Sequence, residues 1–198
     1  MSKRNLTALL GLVIANVALG AGAPAASPKP TGVKAEILAS ISDAESKLNQ
    51  LAEAIPEEKY TWRPMEGVRS PAEVFMHVAA ANYGIPSFWG VKPPEGFDFK
   101  TYEKSLSKKA DIQKAMAASF VHVKDALMAV SNADLVKPFD FFGRKTTVRG
   151  GYIFVASHCH EHLGQMIAYA RMNGVVPPWT AAENAQEAAA LATKSAPK

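Results

Sequence analysis

Five histidines, His77, His122, His158, His160 and His162, are the residues of this 198-residue chain best able to do chemistry. His158 and His162 stand four apart in a stretch of helical period, which sets their side chains one turn apart on one face. A helix uses that spacing to offer two imidazoles to one metal ion. The same spacing suits two half-buried rings with ordinary hydrogen-bond partners. Val155, Gln165, Met166 and Tyr169 fall near that face, so the pair borders an apolar stripe. His77 lies in another helical segment and is followed by Ala79, Ala80, Ala81 and Gly84, small residues that would leave room beside an imidazole.

The neighbouring polar residues have plainer readings. His160 sits roughly 200° around the helix from each of its two neighbours and should face solvent. His122 stands beside the core stripe of its segment and reads as packed. Cys159 points about 100° from His158 and reads as a buried, inert thiol. Glu73, one turn before His77, is either a helix cap or an acceptor that fixes the tautomer of His77. Glu161 should face water, and Gln165 and Arg171 read as helix packing and termination.

Four amphipathic helices would position these residues. Val33, Ile37, Ile41, Ala44, Leu48, Leu51 and Ile55 form a one-faced stripe that Pro56 ends. Ser70-Pro71-Ala72-Glu73 combines an N-cap, a first-turn proline and a capping-box glutamate, and opens a second helix that runs to about Tyr83 or Phe88. Ile112, Met116, Phe120, Val123, Leu127 and Val130 mark a third helix, from about Lys108 to Val130. Phe139 to Thr147 reads as a short hairpin or an extended crossover. The fourth helix spans about Val148 to Met172, with Asn173-Gly174 as its C-cap and Pro177-Pro178 enforcing the stop. Residues 57–69 and 91–106 are long connectors rich in aromatics, and residues 180–198 form an Ala-rich tail that reads as frayed helix or disorder.

Residues 1–25 read as an export signal: Lys3 and Arg4, an apolar run from Leu6 to Leu19, then small residues with A-x-A sites ending at Ala23 and Ala25. The run is shorter than the roughly 20 residues a membrane span needs, so no stable span is expected after its removal. A mobile linker, 26–32, and one domain, 33–179, follow. The chain's 22 Lys and Arg against 18 Asp and Glu give +4; without Lys3 and Arg4, 20 against 18 leave +2. No basic cluster interleaved with aromatics remains, so nucleic acid is not an expected partner. One cysteine excludes an intramolecular disulfide framework and multi-cysteine metal sites.

The stretch from His158 through His162, Gly164, Gln165, Arg171 and Gly174 to Pro178-Trp179 resembles the last helix of the DinB-like, or YfiT-like, superfamily. That motif is H-x-x-x-H, one residue, Gly-Gln, then an arginine and a glycine leading out of the helix. Trp62-Arg63-Pro64 and the run from Ser70 to His77 resemble the family's entry into helix two, and the resemblance spans about Val33 to Trp179. It implies an all-α four-helix bundle with long connectors, and one divalent ion held by His77, His158 and His162. Zinc or nickel is common in the family, and three neutral imidazoles also suit iron. Such a site keeps a coordination position open. The resemblance further implies a metalloenzyme of hydrolase or thiol-transferase type with a small-molecule substrate; a non-catalytic metal-binding protein of the cell envelope is the alternative. Tyr83 and Tyr169 are candidate hydroxyls near the metal, with Trp62, Trp89 and Phe97 lining an open pocket, and the reading leaves room for a homodimer. The export reading makes the protein periplasmic or secreted. N-terminal sequencing of the fractionated protein should find a processed start near Ala26, and an unprocessed cytoplasmic chain would refute it.

Overall fold

The computed structural model describes residues 30–195. The export signal 1–25 and its cleavage sites lie outside the described residues, as does most of the 26–32 linker.

Helix α1 (Val33–Ala54) buries Ile37, Ile41, Ala44, Leu48, Leu51 and Ala52, a spacing of three and four that lays one face on the core. Helix α2 (Pro71–Ser87) opens with a complete capping box: the Ser70 hydroxyl accepts from the Glu73 amide, and the Glu73 carboxylate accepts from the Ser70 amide. It is buried along nearly its whole length and carries Pro86 in its last turn. Helix α4 (Lys109–Ala129) buries the expected stripe, Ile112, Met116, Phe120, Val123 and Leu127. The 91–106 connector holds a single helical turn, α3 (Phe99–Tyr102).

Phe139–Thr147 falls within a hairpin. Strands β1 (Pro138–Phe141) and β2 (Arg144–Thr147) pair antiparallel with Phe141 opposite Arg144, and Phe142 and Gly143 turn the chain at φ 49° and 78°. Thr147 then caps α5 (Val148–Met172) by accepting from the Gly150 amide. Gly174, at φ 75°, lets the Val175 amide reach the Ala170 carbonyl and closes α5.

The tail departs from expectation. Pro178 stops nothing: it opens α6 (Pro178–Ser195), and the chain expected to fray is a continuous helix, exposed over residues 181–194. Proline at a first helical turn loses only an amide that has no intrahelical partner. No described helix is long and apolar enough to cross a membrane.

The four long helices form a mostly helical bundle in which α1 packs against α4 and α5, and α2 packs against the same two. Helices α1 and α2 therefore sit across the diagonal, and α2 lies beside α5. A polar chain crosses the core between three helices: the Cys159 thiol donates to Asn82 Oδ1 at 3.5 Å, Asn82 Nδ2 donates to Ser119 Oγ at 3.1 Å, and Ser119 donates to the Met116 carbonyl at 2.7 Å.

Two glycines admit aromatic rings against helix backbone. A Cβ on Gly84 would lie 2.5 Å from Phe99, and one on Gly151 would lie 2.5 Å from the Trp89 indole. Gly84 thus makes room for Phe99 rather than for open space beside a metal. Gly151→Ala is expected to lower the unfolding midpoint through an overpacking cost of about 1–3 kcal/mol. Gly164→Ala on the same helix, where an added Cβ meets nothing within 4 Å, should raise it through a propensity gain of about 1 kcal/mol. Thermal denaturation of both variants checks the opposite signs.

Candidate metal centre

Helices α2 and α5 bring His77, His158 and His162 together, with one ligand-capable atom from each lying within 4.8 Å of the others. His158 Nε2 lies 3.1 Å from His77 Nε2 and 3.2 Å from His162 Nε2. The outer nitrogens define the inner ones. His77 Nδ1 donates to Glu103 Oε2 at 3.0 Å, and His162 Nδ1 donates to Gln165 Oε1 at 2.9 Å. Both rings therefore turn an Nε2 lone pair toward His158. The His158 Nδ1 atom is buried without a hydrogen-bond partner.

Lone pairs converging on one point repel unless a cation sits between them. Ligands at zinc–nitrogen lengths of about 2.0–2.1 Å around a tetrahedral ion stand about 3.3 Å apart. Two of the three nitrogen separations here, 3.1 and 3.2 Å, lie close to that spacing. Burial, then His162, His77 and Arg69, depress the titration of His158 to about 3; burial, then Arg69 and His162, also lower that of His77, against the opposing pull of Glu103. Both rings are neutral near pH 7, the form that binds metal.

The acceptor on His77 is Glu103, just past α3, and not Glu73. Glu73 is engaged elsewhere: Arg63 holds its carboxylate bidentately at 2.5 and 2.7 Å, and Arg63 with the Ser70 amide pulls its titration down to about 2. The capping reading of Glu73 is the one its geometry fits. Glu103 binds Arg69 at 2.6 and 3.1 Å while it holds His77; burial pushes its carboxyl up, but Arg69 and His77 outweigh that and hold it below the usual range. Nothing in sequence spacing links Glu103 to His77, 26 positions away. Gln165 had a visible signal, being three residues past His162 on the same face, yet it serves the ring of His162 rather than helix packing alone.

Tyr169 joins the centre through Gln165, whose Nε2 donates to its hydroxyl at 3.0 Å, and Trp62 packs edge-on to Tyr169. Tyr83 packs instead against Phe97, Tyr102 and His122. Trp89 lies on Tyr152 and Phe139. Trp62, Trp89 and Phe97 therefore plug separate parts of the bundle and do not line one pocket. The Ala79–Ala81 stretch is buried in the core. His160 turns away as expected, to the Ala156 carbonyl at 2.9 Å and Asp43 at 3.5 Å. Cys159 is buried and its thiol is pushed up to about 12 by desolvation, then by Glu45. Glu161 and Arg171 are exposed. Beside the centre, a cleft of about 520 Å3 is lined by Arg63, Arg69, Glu73, Glu103, Lys104 and Gln165, a set of largely ion-paired charges that their separation in sequence conceals.

The profile of the DinB superfamily matches residues 40–166. A DinB-like protein from Bacillus cereus ATCC 10987 is 22% identical with a TM-score of 0.63, covering 72% of this chain and 93% of its own. YfiT from Bacillus subtilis, described as a probable metal-dependent hydrolase with an unusual four-helix bundle topology, is 13% identical with a TM-score of 0.59, covering 72% and 88%. The colibactin self-resistance protein ClbS, solved in complex with double-stranded DNA, is 16% identical with a TM-score of 0.57, covering 74% and 98%. A protein of this fold thus meets DNA, so the fold gives no support to the expectation that nucleic acid is not a partner. None of the curated proteins matches the chain significantly.

The depressed titrations carry a sign for stability. In the unfolded chain these histidines protonate near ~6.5, whereas the folded metal-free protein resists their protonation. Their contribution is complete above about pH 6.5 and falls as pH drops toward about 3, the value for His158. The melting midpoint of metal-free protein should fall across that window, and fall less in His158→Gln. Equal pH slopes for the two proteins would refute the assignment.

Proposed function

The chain belongs to the DinB superfamily, and from that membership and its three convergent imidazoles we propose that it is an exported metal-dependent hydrolase of a small substrate, with one divalent ion held by Nε2 of His77, His158 and His162. The observation that carries this reading is the pair of outer hydrogen bonds, Glu103 to His77 and Gln165 to His162, which aim two lone pairs at the third ring. Zinc or nickel suits the donor set best, and iron is compatible with it. When bound, such an ion polarises a substrate oxygen or acidifies a coordinated water. The chain's own residues then have separable tasks. Glu103 fixes the tautomer of His77 and is itself anchored by Arg69; Gln165 does the same for His162 and is anchored by Tyr169. Export rests on the pattern of residues 1–25, and it favours hydrolysis over thiol transfer, because low-molecular-weight thiols are scarce outside the cytoplasm.

Untagged mature protein should bind about one divalent ion per chain, by the three-ligand logic of an open site. His77→Ala, His158→Ala and His162→Ala should each abolish stoichiometric loading, while His160→Ala leaves it intact. Glu103→Gln should weaken affinity by about 10–100-fold. Elemental analysis and competitive chelator titration supply the readouts, and loading that survives loss of His158 would overturn the proposal. A cobalt-loaded protein whose visible spectrum ignores every small anion would point instead to a closed, non-catalytic metal-binding protein.

A further inference from the structure

A second cleft, of about 540 Å3, opens between the hairpin and the first turns of α5, with Phe141, Phe142 and Phe154 on its walls and Arg144 and Lys145 at its edge. The rings form a ladder. Phe142 and Phe141 have centroids 4.8 Å apart, Phe141 and Phe154 are 5.0 Å apart, and Phe154 stands 6.2 Å from His158 with the two planes tilted by 32°. Phe154 is thus the wall shared by this cleft and the metal centre. The ladder is costly to leave in water: Phe142 is 78% exposed and Phe154 43%. Phe142 also occupies a left-handed turn position, φ 49°, where hairpins favour Asn or Asp. Phe142 packs on Phe141 and, at 4.9 Å, on Phe88, yet most of the ring stays in water against both backbone preference and hydration, which fits a face kept open for a ligand.

The charges at the edge sharpen the identity of that ligand. Among the described residues, Arg144 and Lys145 have no ion-pair or hydrogen-bonding side-chain partner. Register places Arg144 directly opposite Phe141, the middle of the three rings, and Lys145 opposite Asp140, so Arg144 sets a cation beside the ring ladder. The volume falls in the range of small-molecule sites, and edge-packed rings with a cation beside them match an apolar aromatic ligand that carries one negative charge.

We propose that this cleft binds an aromatic carboxylate, its ring laid against the exposed sides of Phe142, Phe141 and Phe154, its carboxylate on Arg144 with Lys145 at the cleft edge, and its far end directed past Phe154 toward His158. This names the substrate class of the hydrolase proposed above and rests on that reading only for the reacting end; ring and charge recognition stand apart from the metal.

The test uses 2-naphthoate as probe, with 2-naphthalenemethanol and octanoate as controls, on the full mature chain in metal-free and cobalt-loaded forms. Isothermal titration should give saturable one-to-one binding of naphthoate in both forms, with each control at least about tenfold weaker, the scale of one lost charged hydrogen bond or one lost stack. The double variant Arg144→Gln/Lys145→Gln should lose about tenfold toward naphthoate and nothing toward naphthalenemethanol, with an unchanged melting midpoint. Phe154→Leu should weaken both ring-bearing probes. In the cobalt form, naphthoate should shift the visible spectrum. Naphthoate bound no better than octanoate, or indifferent to the double variant, overturns the proposal. So does binding of anionic vesicles or of an oligonucleotide that depends on the same residues while naphthoate does not bind. A chain that binds naphthoate but never loads cobalt would sink the metal reading and leave the cleft standing; one that loads cobalt and ignores naphthoate would do the reverse.

Discussion

Three imidazoles gathered at one point, two of them turning an Nε2 lone pair toward the third, are unfavourable neighbours, and the bundle is organised around holding them there. His158 and His162 share one rigid helix, so their relative placement is set by the turn of α5 alone. The third ring comes from α2, and its distance from the pair depends on every contact that seats α2 beside α5. That explains why α2 is buried along nearly its whole length: a helix surrounded by core on most sides has little freedom to slide or roll.

The outer nitrogens repeat the same division of labour. On α5, Gln165 lies within one turn of His162 and needs only helical geometry to reach it. On α2, no nearby residue serves His77, and the chain brings Glu103 from the far end of an aromatic connector. Phe97 and Tyr102, packed on Tyr83 of α2, anchor that connector, and the glycine at 84 admits Phe99 against the helix. A segment that looks like filler between two helices is therefore part of how one imidazole is oriented. The ion pair to Arg69 adds a second tie, from the residue just ahead of the α2 cap.

What could be read from residues alone follows from the range of the forces involved. Helical period, the Ser70–Glu73 cap and the His158–His162 spacing are local, and they predicted the four long helices and which face of α5 carries the pair. The hairpin was half legible, since Gly143 marked a turn without deciding between pairing and crossover. Long-range polar partnerships left no local trace: Glu103 to His77, or Arg63 to Glu73, become visible only when loops fold over the bundle. In the tail, a proline after a C-cap fits the end of one helix and the first turn of the next equally well, and Pro178 opens α6. Small residues after His77 suggested empty space, but they serve close helix packing and the seating of an aromatic ring.

The chain of Cys159, Asn82, Ser119 and the Met116 carbonyl ties α5, α2 and α4 through groups that each have a defined partner. Apolar stripes alone tolerate a slip of one helical turn, because one leucine replaces another at little cost. An amide does not: moved 5.4 Å along its neighbour, the rise of one turn, Asn82 would lose its partners in a dry interior, at about 1–3 kcal/mol for each orphaned group. This short polar thread therefore acts as an index mark for the register of the bundle. It sits five residues beyond His77 on α2 and one beyond His158 on α5, so the same mark that rules out slipped packings also sets the axial alignment at which the three imidazoles meet.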